Sequence, residues 1–272
     1  FSADARFSNK PFLNSTRSHV GKMIWLALFV TFSLWWLFTG LALISAHQDP
    51  PIRDLLFGLI TVVAILCLAS VPYIAAETSL LAVFVGFLFA LLIWAWLELM
   101  FLMGVVTGPN KSLAPPGLGS GQKFKLALAT MIHHEVAVIS VIGLTLFLGG
   151  NQPANPIVFF VLLLLWLMRC STKLNLFFGV CHFNNGWLPE RHKHVASYIS
   201  VGKNNALMAP SASLAAIVAG LLFSRAFATD DSSVAFSLFL LAWVATLAAI
   251  EHVFLMYRVG EEVLWRWAVK SE

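Results

Sequence analysis

Five ionisable residues stand in stretches where a hydrophobic chain makes them costly. Glu98 lies in WAWLELMFLMG, His134 and Glu135 in TMIHHEVAV, and Glu251 and His252 in AAIEHVFLM. An ionisable group in a membrane span costs roughly 2.5–3.5 kcal/mol on insertion scales, and it usually faces the bundle interior with a partner. Carboxylate oxygens and imidazole nitrogens suit iron, manganese or zinc. Ligands from separate helices would resemble the way bundle di-metal sites are assembled. The Glu-x-x-His signature of such sites is absent, and neighbouring His-Glu side chains diverge by about 100° on a helix. A buried Glu/His metal centre is therefore one expectation, and structural pairing of imidazole with carboxylate is another. A third is a single imidazole, His134 or His252, ligating the magnesium of a chlorophyll or the iron of a haem.

A second group of polar residues runs from Trp166 to Tyr198. Arg169, Ser171, Thr172, Lys173 and Asn175 enter in a helix-compatible pattern, and Cys181, His182, Asn184, Asn185, Glu190, His192 and His194 follow. A zinc site from Cys181, His182, His192 and His194 would match no standard spacing. A solvated or headgroup-facing loop is the plainer expectation. Asn184 and Asn185 before Gly186 read as a turn. Pro189–Ser200 reads as a short interfacial helix anchored by Trp187 and Tyr198.

The elements that must position these groups are membrane spans. The 272-residue chain is 59% hydrophobic and 11% charged, against about 25% charged in soluble domains. Seven stretches approach the 20 or so apolar residues that a span needs: roughly Met23–Ala46, Leu55–Ala76, Ser79–Val106, Phe124–Leu148, Pro156–Val180, Leu207–Phe227 and Val234–Tyr257. Backbone groups must be satisfied within lipid, so helices are expected, and nothing alternates as barrel strands do. The fold class is all-α: a polytopic integral membrane protein with seven helices in one bundle. Residues 1–22 form a polar N-terminal segment, 23–258 the bundle with a polar loop at 181–205, and 259–272 a short tail. Pro and Gly punctuate the connections at Gln48–Pro51, Gly108–Gly121 and Gly149–Pro156.

Of the 17 Lys and Arg, Arg6, Lys10, Arg17, Lys22 and Arg225 fall on the N-terminal side and the other twelve opposite. The positive-inside rule then puts the C-terminus and the 181–205 loop in the cytoplasm. The net charge of +4 fits basic loops on anionic lipid; no basic patch with interleaved aromatics suggests nucleic acid. A retinal protein would need a Lys in the seventh span, which holds Glu251 and His252 instead. Phosphate-loop, dinucleotide-binding and nucleophile-elbow motifs are missing from the sequence. The three cysteines (Cys67, Cys170, Cys181) form no C-x-x-C pair.

Several motifs resemble, in order, the PuhE family of photosynthetic complex assembly proteins of purple phototrophic bacteria. They are SLWWLFTG (Ser33–Gly40), WLELMFLMGVVTGP (Trp96–Pro109), APPG (Ala114–Gly117), HHEVA (His133–Ala137), STKLNLFFGV (Ser171–Val180), WLPE (Trp187–Glu190), EHVFL (Glu251–Leu255) and VLWRW (Val263–Trp267). Glu98, His134, Glu135, Lys173, Asn175, Asn184, Glu251 and His252 fall on the matching positions. Cys181-His182-Phe183-Asn184-Asn185-Gly186 and Arg191-His192-Lys193-His194 depart from the family pattern, so the loop histidines are features of this chain.

The resemblance implies a multi-pass protein of the bacterial inner, intracytoplasmic photosynthetic membrane. It would assist assembly of the reaction centre and light-harvesting complex, or remain as an accessory subunit. Reaction-centre or light-harvesting polypeptides and the lipid bilayer would be its partners. Bacteriochlorophyll or carotenoid is the expected cofactor, with Trp35, Trp36, Trp94 and Trp96 as flat apolar surfaces. The alternative is a membrane metalloenzyme acting on a lipophilic pigment precursor, its metal held by Glu98, His134, Glu135, Glu251 and His252. A proton-conducting role for the same groups is disfavoured by the lack of an inverted repeat.

Overall fold

The computed structural model describes residues 10–183, 188–257, 264, 265, 267 and 268, without the side chains of 10–19. The helices are α1 (Lys10–Ala46), α2 (Pro50–Ala76), α3 (Leu80–Leu102), α4 (Ser120–Ala129), α5 (Ile132–Gly149), α6 (Ile157–Phe178), α7 (Lys193–Ala196), α8 (Met208–Ala228) and α9 (Ser232–Met256). Seven are long and apolar enough to cross a membrane, α1 through its Val20–Ala46 part, and α4 and α7 are the short exceptions. No strand is present among the described residues, apart from an isolated bridge between Val180 and Val201.

Helix ends follow local chemistry. Pro50 and Pro51 open α2, where a missing N–H costs nothing. Ser79 Oγ accepts from Ala82 N to start α3, and Asp231 accepts from Ser233 N and Val234 N to start α9. Hydrogen bonds from Ser233 and Val234 hold the Asp231 carboxyl below the usual carboxylate range. Gly150 and Gly179, both at positive φ, end α5 and α6.

Helices α3 and α9 form the middle of the bundle. α9 packs on α8, α1, α6 and α3, whereas α3 packs on α2, α6, α1, α9 and α5. Phe87, Ile93, Leu97, Phe239 and Leu240 are fully buried between them. Gly86 lets α3 lie against Ile157 of α6 and Ile74 of α2; a Cβ there would come within 2.6 Å of the Ile157 methyl. Helices α2 and α8 are peripheral, and Leu55, Leu59, Leu66, Leu214, Ile217 and Leu221 are exposed on them. With no water to exclude, such faces suit lipid or the helices of another protein.

Two expectations require correction. The stretch 124–148 is not one continuous helix, because it breaks at Thr130–Met131 between α4 and α5. The break is stable because the GPN segment supplies the missing partners. Asn110 N donates to Ala129 O, Asn110 Nδ2 to Leu126 O, and His134 N to Thr107 O. Gly108 is required there, since any Cβ would run into the Ala129–Met131 backbone. The loop after α6 is not simply solvated or headgroup-facing either. A 3-10 turn, Glu190–His192, leads into the single turn of α7, and His192, His194, Val195 and Tyr198 are buried. The His192 ring stacks on Phe101, and His194 packs next to His192. Trp187, Asn184 and Asn185 lie outside the described residues.

Candidate functional site

The expensive charges gather around one helix. Arg169 and Lys173 are four residues apart on α6, hence on one face. Carboxylates approach them from three other helices. Arg169 Nη2 donates to Glu98 Oε2 of α3 at 3.0 Å. Lys173 Nζ donates to Glu135 Oε1 of α5 at 2.5 Å. Arg169 also interacts electrostatically with Glu135 and with Glu251 of α9. A charge taken out of water is tolerated when it is paired and its remaining valences are hydrogen-bonded. Glu135 meets that condition, because Trp166 Nε1 donates to its Oε2 at 3.1 Å. It also sits in the first turn of α5, where the helix N-terminus favours negative charge. Glu251 accepts from Trp35 Nε1 at 3.0 Å. The Arg169 side chain is 44% exposed and that of Glu98 15%, so the centre opens sideways at Arg169.

Ser171, between Arg169 and Lys173, and Asn175 carry a polar web without formal charge pairs. His252, fully buried, donates from Nδ1 to Ala248 O at 2.7 Å and accepts at Nε2 from Ser171 Oγ at 2.9 Å. The carbonyl can only accept, which assigns this tautomer. Asn175, also fully buried, donates to Ser171 O and Ser211 Oγ, and accepts at Oδ1 from Asn205 Nδ2. The web joins α6, α8, α9 and the loop after α6. Cys181 belongs to the same end of the bundle, its thiol donating to Met256 O at 2.9 Å.

Three imidazoles form a separate stack. The Phe101 ring lies 4.8 Å from His192, nearly parallel at 9°, and 5.1 Å from His134. His194 is 6.0 Å beyond His192. His134 Nε2 donates to Leu97 O and His192 Nε2 to Leu102 O. His134 Nδ1, His192 Nδ1 and His194 Nε2 are buried without a hydrogen-bond partner; the nearest carboxylate oxygen to His134 Nδ1, Glu135 Oε1, is 3.7 Å away. That is too long for a hydrogen bond. Burial pushes the pKa of His192 and His194 down, partly offset by their bonds to backbone carbonyls.

The sequence-flagged residues thus divide in two. Glu98, Glu135 and Glu251 meet around Arg169 and Lys173, with His134 at the edge. His252 belongs to the Ser171–Asn175 web. In the sequence Arg169 stands out in the polar group from Trp166 to Tyr198 without an assigned carboxylate partner, and Trp35 and Trp166 have no hydrogen-bonding role. A basic residue one turn before Lys173 on the same helix was the available sign.

A catalytic metal does not fit this arrangement. Two cations occupy the middle of the donor set, and no three His, Cys, Asp or Glu among the described residues are grouped to hold an ion. An axial magnesium or haem ligand does not fit His252, whose two nitrogens are both engaged, and His134 is enclosed at 1% exposure. Three of the four tryptophans are tied within the bundle by their indole N–H groups or by ring packing. Trp36 Nε1 donates to Leu264 O and Trp96 Nε1 to Thr61 Oγ1, while Trp35 packs edge-on against Trp265.

Fold and centre together define a polytopic helical membrane protein with an ion-pair centre that joins four of its helices. The chain belongs to the DUF3623 family, described as "Protein of unknown function", which matches residues 22–272. It is 30% identical over 252 residues to an uncharacterized 30.4 kDa protein in the puhA 5′ region of Rhodobacter capsulatus, covering 91% of each chain. No solved structure matches it.

Proposed function

We propose that this protein serves the photosynthetic membrane of a bacterium, assisting assembly of the reaction centre and light-harvesting complex or remaining with it as an accessory subunit. The observation that carries this reading is the end-to-end relationship to a protein encoded in the puhA 5′ region, a photosynthesis gene region. The motif resemblance described above points the same way. The architecture supplies what such a role needs. Its interior is tied by ion pairs and hydrogen bonds, so the bundle holds its own shape. Its peripheral helices α2 and α8 offer exposed apolar faces to partner helices. In this reading bacteriochlorophyll or carotenoid would contact those outer faces, because His134 and His252 are enclosed. The C-terminus and the loop after α6 lie in the cytoplasm.

Deletion of the gene in a phototrophic host, followed by near-infrared spectra and native gels of the membranes, tests the proposal. The expected result is a loss of assembled complex, restored by the intact gene. Gentle extraction should also bring reaction-centre or antenna polypeptides with the tagged protein. Unchanged complex in the deletion strain, with no co-purifying polypeptide, would refute the reading.

A further inference from the structure

Helix α4, the end of α6 and the turn at 200–203 meet at one corner of the bundle. Lys123 Nζ of α4 donates to Ser200 Oγ at 3.4 Å and lies 5.7 Å from the centre of the Phe177 ring on α6. Phe177 packs edge-on against Phe124 at 5.3 Å and against Phe178 at 5.2 Å. Gly179 ends α6 against the turn: a Cβ there would lie 2.7 Å from Lys203 O and 4.0 Å from Ser200 O. Lys203 therefore stands at the same corner as the Lys123 ammonium.

The corner carries positive charge without a counter-ion. Asp and Glu are absent from 99–134 and from 191–229. Lys173 pairs with Glu135 and Lys193 with Glu190, whereas Lys123 and Lys203 reach no carboxylate among the described residues. Apolar surface lies beside these lysines, because Phe124, Phe178 and Val201 are exposed. Phe178 also ends a longer stripe. Phe160, Leu167, Leu174 and Phe178 are all exposed and stand seven, seven and four residues apart, hence on one face of α6. The stripe runs about 27 Å along the span. On α4, Phe124 and Leu128 are exposed next to the exposed Lys125, the pattern of a helix seated at the headgroup boundary.

We propose that this corner binds one anionic phospholipid, its phosphate at Lys123 and Lys203 and an acyl chain along the Phe178–Leu174–Leu167 stripe. Charge complementarity selects the head, since two ammonium groups share a corner that holds no carboxylate. Their apolar stems can lie on neighbouring apolar surface while the charges reach the headgroup level. The stripe selects a lipid over a soluble phosphate or an acidic peptide. It continues from the lysines into the hydrocarbon layer, as a head and its tail do. The site is independent of the photosynthetic assignment, since it rests on this corner alone.

The test uses the full chain in detergent and counts lipid molecules retained per chain by native mass spectrometry. The lipids are dioleoylphosphatidylglycerol and dioleoylphosphatidylcholine, which differ only in the head. Wild type is expected to retain one phosphatidylglycerol saturably, about twentyfold in preference to phosphatidylcholine. Lys123→Gln and Lys203→Gln should each cut that preference about fivefold and together erase it. Lys123→Arg with Lys203→Arg keeps both charges and should keep the preference. Phe178→Ser should weaken retention of both lipids alike. Lys22→Gln changes a charge at the other end of the bundle and should leave retention as it is. Equal retention of the two lipids by wild type, or a preference unchanged in the double Gln variant, would overturn the proposal. So would displacement of the lipid by glycerol 3-phosphate or by an oligoglutamate peptide, which would mark a soluble-phosphate or an acidic-peptide site instead. Thermal unfolding of each variant separates loss of binding from loss of fold.

Discussion

The two halves of α6 behave as different materials. From Ile157 to Leu165 it presents only apolar side chains, and contact depends on shape, as where Gly86 admits Ile157. From Arg169 to Asn175 it presents two cations, the Ser171 hydroxyl and an amide, each matched by a named partner on another helix, while Thr172 Oγ1 donates back to Met168 O. The apolar half tolerates a cavity, while the polar half is tied by directional bonds. In a membrane this asymmetry has a physical source. Lipid tails solvate Leu as well as another Leu does, so only close packing and polar pairing specify which helix lies next to which.

Breaking one partner of a buried pair should have the largest effect. Lys173→Met leaves Glu135 without its cation and is expected to cost about 3–5 kcal/mol, read as a lowered unfolding temperature in detergent. Adding Glu135→Gln to that variant should recover most of the loss, because no unpaired charge remains. If the double variant is as unstable as the single one, ion pairing is not what organises this half.

Asn175→Leu should cost about 2–3 kcal/mol by leaving the partners of its amide unpaired, and should loosen α8, measured by faster hydrogen exchange in Met208–Ala228. On the apolar half, Gly86→Ala should cost about 1–3 kcal/mol by overpacking. Pairing it with Ile157→Val should return part of that stability, as expected where shape alone governs.

Acid should act on the imidazole stack. His192 and His194 have pKa values below the ordinary histidine range. Their contribution is therefore full above the unfolded-state value near 6.5 and declines as pH falls towards and through the folded values. The groups facing His192 are Phe101, His194 and Arg191. Unfolding temperature should be flat from pH 8 to about 7 and then fall, and His192→Gln should flatten the acid limb. The smallest effect is expected at Arg53→Ala, which breaks the exposed pair with Asp54 and should change stability by under about 0.5 kcal/mol.

The spans were legible because length and hydropathy are local properties. The break at Thr130–Met131 was not, because neither Pro nor Gly marks it; its cause is the GPN segment about 20 residues earlier. The costly residues were legible one by one, since Glu98, Glu135, Glu251, His134 and His252 each interrupt an apolar run. Their partners were not. Glu98 and Arg169 are 71 residues apart, and Trp35 and Glu251 are 216 apart. Such pairs depend on which helices become neighbours, which seven similar apolar runs do not specify. The burial of His192 was hidden for the same reason, since its ring stacks on Phe101 of α3.

The break also sets a length. Helix α5 retains 18 residues, a rise of about 27 Å, while α2 with 27 residues rises about 40 Å. A bilayer with a hydrocarbon layer near 30 Å matches the first almost untilted, and the second only by leaning or by reaching into the headgroups. The protein therefore meets its bilayer unevenly around its circumference, with the thinnest lipid favoured beside α5.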